Sequence, residues 1–345
     1  MAPHLACVGT AAPRAFGCAR ISVVLAAIAS TIATGLICGI GPATAVSGRS
    51  YIDRVVAEPG KLRAAYVYSA AMRRTIKVQL AGAESSSRRP TLYLLGGLGE
   101  QDPANSIWNI KTPVGAFFAD KDVNVVLPIA GNGSMYTDWQ RDDPKLGRYR
   151  WETFLTKELP PLIEKRFAGN GRRGIAGLSM GAGAAMVLAA RNPRFYHVVA
   201  SYSGCFTTEG AGQAYPRGIV RAFGGNPDNM WGPPADPGWA AHDVIERAAN
   251  LRGTVLYVST GTGRPGPYDA PGYPGNDNPL DRQVVGGGIE FGTYLCTRQL
   301  KSRLAALRIP ATIRVIDPGT HSWPSWIDQQ RESWPVIKRG LGVAD

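Results

Sequence analysis

Arg173-Gly174-Ile175-Ala176-Gly177-Leu178-Ser179-Met180-Gly181 runs a short apolar strand into a serine, and Ala182-Gly183-Ala184-Ala185-Met186-Val187 then opens a helix. A strand, a tight turn and a helix in that order make a nucleophile elbow, in which the serine stands above the edge of a sheet. Gly177 and Gly181 have a steric reason: the helix must leave so close to the strand that side chains there would collide. Ser179 would also sit at a helix N-terminus, whose dipole favours developing negative charge. Gly-x-Ser-x-Gly alone is a modest pattern; the strand before it and the helix after it give it meaning.

Outward from the elbow, apolar β-branched runs recur at 75–80, 91–95, 123–129, 174–177, 198–203, 254–260 and 312–316. Apolar residues at three- and four-residue spacing predict helices over 151–167, 180–191 and 291–307. Strands alternating with helices imply a mostly parallel central sheet covered by helices on both faces, and with the elbow this is an α/β-hydrolase fold. One catalytic domain over 46–345 is the expectation for a chain of this length. Within it, 204–250 is rich in Gly, Pro and Trp and reads as an irregular insertion over the site.

A serine hydroxyl needs a base. Of the four histidines, His4 lies in the N-terminal leader, His197 reads as a structural residue where a strand begins, and His242 opens a helix in the insertion. His321 follows the run 312–316 in the turn Asp317-Pro318-Gly319-Thr320-His321-Ser322-Trp323, where a hydrolase of this fold carries its catalytic histidine. The acid that holds the imidazole tautomer should lie between Ser179 and His321. Asp269, Asp277, Asp281 and Glu290 all qualify, while Asp317 reads as a turn former ahead of Pro318. An oxyanion hole takes one N–H from the residue after the nucleophile, Met180, and one from a loop after an early strand. Leu94-Leu95-Gly96-Gly97-Leu98-Gly99 is that loop: Leu98 is the candidate donor, and Gly97 lets backbone approach the substrate.

The 345 residues carry a formal charge of +12, which suits association with anionic envelope polymers or lipid headgroups. The basic residues are scattered, with no Lys/Arg-rich helix or stacking-aromatic module, so nucleic acid is not an expected partner. Arg14 and Arg20, the apolar run 21–40 and Ala43-Thr44-Ala45 form an export signal over 1–45, with an uncleaved anchor as the alternative. Cleavage after Ala45 takes the charge from +12 to +10. Cys7, Cys18 and Cys38 leave with the signal. Cys205 and Cys296 remain as a candidate disulfide, against two separately buried thiols. No metal or organic cofactor is called for.

Tyr93-Leu94-Leu95-Gly96-Gly97-Leu98-Gly99-Glu100-Gln101-Asp102, Trp108-Asn109-Ile110-Lys111-Thr112-Pro113 and Gly133-Ser134-Met135-Tyr136-Thr137-Asp138-Trp139 resemble successive blocks of the secreted mycolyltransferases of the antigen 85 complex. The likeness continues through the segment 151–160, Gly177-Leu178-Ser179-Met180 and Gly319-Thr320-His321-Ser322-Trp323. It implies transfer of a mycolate, a long branched acyl group, between trehalose esters or onto cell-wall sugar through an acyl-serine. The partners so implied are a mycolyl glycolipid donor resembling trehalose monomycolate, a sugar acceptor and the cell-envelope surface. It also implies Glu290 as the acid, Leu98 and Met180 as the oxyanion donors, and Trp323 at the border of the acceptor site. Where the family has a sugar-contacting aspartate and arginine, this chain has Gly96 and Gly99. Phe206, Phe223, Met230, Trp231 and Trp239 are candidates to line an acyl channel, with ordinary core as the alternative. Two further readings are an esterase or thioesterase that uses water, and a non-catalytic carbohydrate- or matrix-binding relative.

Overall fold

A computed structural model describes residues 48–82, 87–99, 102–276 and 278–344. The expected export signal over 1–45 and the candidate acid Asp277 lie outside the described residues. Among the described residues, nine strands form one sheet: β1 (Tyr51–Glu58), β2 (Leu62–Ser69), β3 (Arg74–Ala81), β4 (Arg89–Leu95), β5 (Asn124–Pro128), β6 (Gly169–Leu178), β7 (Val198–Tyr202), β8 (Val255–Gly261) and β9 (Thr312–Ile316). Their order across the sheet is β1-β2-β3-β5-β4-β6-β7-β8-β9. The six strands from β5 to β9 in that order pair in parallel, and β1 to β3 complete the sheet by antiparallel pairing. This is the mostly parallel sheet of an α/β-hydrolase.

The alternation of each strand sorts its side chains into two cores. Tyr93 and Leu95 of β4, Ile175 of β6 and Val199 of β7 join one cluster; Leu92, Leu94, Ala176 and Ala200 join the other. Period-two geometry with both faces buried is why these strands read as continuous apolar runs. Helices α1 (Leu159–Arg166) and α2 (Met180–Arg191) come early in the chain, and α2 is buried along almost its whole length. Helix α3 (Ala214–Ala222) lies in the insertion, α4 (Gly287–Ala306) follows β8, and α5 (Trp323–Leu341) closes the chain. Trp326, Val336, Ile337 and Leu341 of α5 pack into the second cluster.

Several elements go beyond the sequence expectations, among them α3, a regular helix inside the segment 204–250 that reads as irregular, the β1–β2 hairpin and α5. The β1–β2 hairpin is hidden because β1 is a polar edge strand (Asp53, Arg54 and Glu58) and β2 carries small Ala64 and Ala65. Helix α5 is hidden because its inner face buries Ser325, Gln329, Gln330 and Ser333 beside its apolar residues, which dilutes the helical period. No helix of the described residues is long and apolar enough to cross a membrane.

Parallel strands put their C-terminal ends on one edge. From that edge emerge the loop after β4, Ser179 after β6, Ser203 after β7 and the turn after β9 that carries His321. The sheet order reverses direction beside β4, and ligands of open α/β sheets bind at such a switch point.

Cys205, just after β7, is bonded to Cys296 in the middle of α4, across a sequence separation of 91 residues. Closing a loop of that length restrains the unfolded chain. Replacing both cysteines by serine is therefore expected to lower stability by about 2–5 kcal/mol. Guanidinium unfolding of the oxidised wild type against the double variant measures it; coincident midpoints would contradict the expectation.

Candidate active site

Ser179 has φ 53° and ψ −118°, a conformation L-residues seldom adopt. Such backbone costs on the order of 1–3 kcal/mol and persists only where the surroundings impose it. Here they do. Its N–H donates to the Tyr202 carbonyl at 2.9 Å. A Cβ on Gly177 would lie 2.2 Å from the Gly181 oxygen, and one on Gly181 would lie 2.5 Å from the Gly96 oxygen. Three backbone segments thus touch around the serine, and only glycine fits between them.

His321 links the serine to a buried acid. Its Nε2 lies 2.9 Å from Ser179 Oγ and its Nδ1 lies 2.7 Å from Glu290 Oε2. An ionised carboxylate only accepts, so Nδ1 carries the proton and Nε2 is free to accept the serine O–H. The Trp326 ring meets the imidazole edge-on at 4.8 Å between centroids. Glu290 is fully buried at 0% exposure. Its Oε1 accepts from Ser203 Oγ at 2.7 Å, from Thr260 Oγ1 at 3.2 Å and from the Gly261 N–H. Burial alone would raise this carboxyl, but the hydrogen bond and charge of His321, with the Gly261 and Ser203 donors, hold it below the usual carboxylate range.

The other acids are spoken for. Asp269 is buried, accepts from Thr320 Oγ1 at 2.5 Å and from the Gly266 N–H at 2.7 Å, and so braces the turn beside His321. Asp281 is exposed, the last residue of the short helix Pro279–Asp281. Asp317 accepts from Thr262 at 2.7 Å and Arg264 at 2.8 Å. His197 sits where β7 begins, its Nδ1 accepting from the Arg173 N–H at 3.3 Å. His242 stacks on Trp231 at 4.3 Å and hydrogen-bonds Thr137 Oγ1 at 3.0 Å, well inside the insertion.

Met180 is the first residue of α2, so its N–H is one of those that no intrahelical carbonyl reaches. The loop after β4 is held from two sides, by Trp108 Nε1 on the Leu95 carbonyl at 3.0 Å and by the Gly96 N–H on the Tyr136 hydroxyl at 3.1 Å. A Cβ on Gly97 would lie 3.2 Å from Ser179 Cβ and 2.7 Å from Leu178 Cδ1, so the loop passes directly over the serine. Leu98, 41% exposed, shares a cavity wall with Ser179 and His321.

That cavity is an apolar groove of about 580 Å³ between α3 and α4, lined by Tyr215, Ile219, Ile289, Thr293 and the Cys205–Cys296 bridge. The aromatic candidates for an acyl channel are elsewhere. Phe206, Met230, Trp231 and Trp239 are buried in the first core, and Phe223 packs over Gly133. Large flat rings fill the space beneath the insertion, while its small residues Ala211, Gly212, Ala214 and Gly218 leave room for the groove. Trp323 meets Trp108 and Trp326 edge-on at 5.7 and 5.3 Å, and its remaining face borders a second cleft of about 420 Å³ with Lys111, Tyr268 and Arg331. A Cβ on Gly99 would make only ordinary contact, 3.5 Å from Ile107, so sterics do not require glycine there. Among the described residues, no cluster of three His, Cys, Asp or Glu is placed to hold a metal.

Residues 69–332 match the family described as "Putative esterase". Ag85A of Mycobacterium ulcerans, a diacylglycerol acyltransferase/mycolyltransferase, is 31% identical over 93% of this chain and 92% of its own. Ag85B of Mycobacterium intracellulare, of the same description, is 32% identical over 96% of each. The chain belongs to the antigen 85 esterase family. The crystal structure of MPT51 (FbpC1) from Mycobacterium tuberculosis superposes with a TM-score of 0.66 at 25% identity, covering 80% of this chain and 97% of that one. An S-formylglutathione hydrolase from Agrobacterium tumefaciens, 17% identical with a TM-score of 0.56 over 83% of this chain and 99% of its own, shares the fold.

In this antigen 85 relative, sequence reasoning missed Ser203, Thr260 and Gly261 around Glu290, and Trp326 against His321. All sit at strand ends or on α5, where no motif marks them and only the sheet topology brings them in.

Two measurements follow. Glu290→Gln keeps the shape but removes the charge that fixes the imidazole. Its kcat/KM on a para-nitrophenyl ester should fall by about 10³–10⁴-fold, with folding judged by circular dichroism. Burial, aided by the Arg191 charge, pushes His242 down to about 3. The unfolded chain therefore binds a proton there that the folded protein refuses, so stability is lost as pH falls below the ordinary histidine range, by up to about 1.4 kcal/mol per pH unit. Removing that group in His242→Asn should flatten the acid limb of stability against pH between 6.5 and about 3. Parallel limbs for the two proteins would contradict the assignment.

Proposed function

We propose that this protein is an exported serine acyltransferase that moves a long-chain, mycolyl-type acyl group from a trehalose ester donor to a sugar hydroxyl through acyl-Ser179. The observation that carries the reading is the Ser179–His321–Glu290 hydrogen-bonded chain on the wall of an apolar groove. Export is supported by the leader pattern in the sequence and by the Cys205–Cys296 bond, which suits an oxidising compartment.

Ser179 Oγ attacks the ester carbonyl while His321 Nε2 takes its proton, and the imidazolium that forms is stabilised by Glu290. Charge developing on the carbonyl oxygen meets the Met180 N–H, the α2 N-terminus and the Leu98 N–H. A single donor of this kind is worth about 10²–10³ in rate. His321 then passes the proton to the departing sugar oxygen. In the second half, an acceptor hydroxyl beside Trp323 gives its proton to His321 and attacks the acyl-serine; the bond to Ser179 Oγ breaks and His321 returns the proton to the serine. Gly96 and Gly99 favour a second reading of that half only: with no charged pair there to hold the sugar, water competes as acceptor and free acid is released.

Incubating the mature protein with trehalose monomycolate and separating the lipids tests both. Dimycolate is expected from the transferase, free mycolic acid from the hydrolase, and neither product from Ser179→Ala. Full transfer by Ser179→Ala, or failure of a phosphonate probe to label the wild type, would overturn the serine mechanism.

A further inference from the structure

Large apolar side chains stand in the open along one stretch of chain: Leu280, Val284, Val285, Ile289, Phe291 and Leu295, from 43% exposed at Ile289 to 69% at Leu280. The stretch is one continuous helical run, in which the short helix Pro279–Asp281 passes through a wider π-helical turn at Arg282–Gly286 into α4. Elsewhere among the described residues such side chains are scattered, as with Val56 on β1 and Val315 on β9 at opposite edges of the sheet. Single exposed apolar residues are ordinary, whereas a contiguous run of them marks a surface that something covers.

Helix α4 turns three faces to three surroundings. Glu290, Thr293, Thr297, Leu300 and Leu304 are buried, and Ile289, Gly292 and Cys296 line the groove. Phe291 and Leu295 face solvent, and Leu280 and Val284 precede them at the spacing of one helix face. The open face and the groove face meet at Ile289, which is exposed and also lines the groove. The stripe is therefore the apolar lip of the groove that leads to Ser179. Just beyond Leu295, Arg298 and Lys301 are exposed, and the only acid from Arg282 to Ala306 is the buried Glu290, with exposed Asp281 at the far end. Such a stripe suits the boundary of an anionic lipid layer, where apolar side chains enter the hydrocarbon and cations stay with the headgroups. A folded partner seated there would instead cover the lip by which an acyl chain reaches the groove. Since no helix of the described residues is long and apolar enough to cross a membrane, this run would lie in the surface rather than span it.

We propose that the outer face of the helical run from Pro279 to Ala306 docks on an anionic lipid surface. Leu280, Val284, Phe291 and Leu295 enter its hydrocarbon, Arg298 and Lys301 meet its headgroups, and the groove opens directly on the layer from which a lipid ester is drawn. The acyl-transfer reading gives this docking its purpose, and the inference goes beyond it by naming the face on which the protein sits. None of the four apolar side chains belongs to the proton relay or to the groove wall, so their loss changes access to a lipid surface and leaves the chemistry at Ser179 in place.

The experiment sediments the mature protein with vesicles made of equal parts phosphatidylglycerol and phosphatidylcholine, and with vesicles of phosphatidylcholine alone. The wild type is expected to bind the anionic vesicles and to bind the zwitterionic ones more weakly. The combined variant Leu280→Ser, Val284→Ser, Phe291→Ser and Leu295→Ser should partition onto the anionic vesicles at least about tenfold less, because each side chain gives up part of its burial in hydrocarbon. The control Val56→Ser with Val315→Ser, which removes exposed apolar side chains elsewhere, should match the wild type. Turnover of soluble para-nitrophenyl butyrate within about twofold, with an unchanged melting temperature, shows that the fold and site of both variants are intact. Vesicle binding by the stripe variant equal to that of the wild type would overturn the proposal. So would a wild type that ignores both kinds of vesicle, including one whose stripe instead holds a dimer that the variant breaks in sedimentation without lipid. If stripe-dependent binding persists while a phosphonate fails to label Ser179, the acyl-transfer reading falls alone; if labelling succeeds and binding is absent, this inference falls alone.

Discussion

The constraint on which the rest depends is the backbone reversal at Ser179. A residue held at φ 53° and ψ −118° cannot be relaxed by its own preferences, so its neighbours must hold it. They do so backbone to backbone: Gly177 against Gly181, Gly181 against the Gly96 carbonyl, and the Ser179 N–H on the Tyr202 carbonyl. Because those contacts involve β4, β6 and β7 together, the same packing that fixes the serine also brings the loop of Leu98 over it and aims the start of α2 at it. The serine and the backbone N–H groups around it are one mechanical unit.

A second balance governs charge. Glu290 and His242 are both buried ionisable groups, and they resolve the cost of burial in opposite ways. Glu290 has three donors on one oxygen and an imidazole on the other, enough to keep the carboxyl ionised below its usual range. His242 has a hydroxyl, a carbonyl and a tryptophan face, with the nearby charges positive, so it is kept neutral. The partners decide whether a buried group carries its charge, and the depth of burial only sets the stakes.

The elbow, the inner strands and the histidine turn were legible because each depends on local chemistry: glycines where backbones touch, apolar runs where both faces of a strand are covered, a turn where the last strand ends. The 180–191 helix and the 312–316 strand were read to the residue. The residues alone left Asp269 and Glu290 both open, since both follow β8; the hydrogen bond of Glu290 to His321 and its donors Gly261 and Ser203 depend on strands and helices that meet only in space. The hairpin β1–β2 and helix α5 escaped because their buried faces carry alanines, serines and glutamines. The aromatics of the insertion looked like channel walls and are core, since a groove is made where side chains are small.

The Cys205–Cys296 bond sits in the groove itself, joining the strand end that leads into the insertion to the helix that bears Glu290. The two walls are therefore rungs of a single covalent ladder, which cannot be prised apart while the bridge stands. The proton relay needs no such tie. Reduction of the bridge would thus act first on the spacing of the groove walls, and only afterwards on the hydrogen bonds at Ser179.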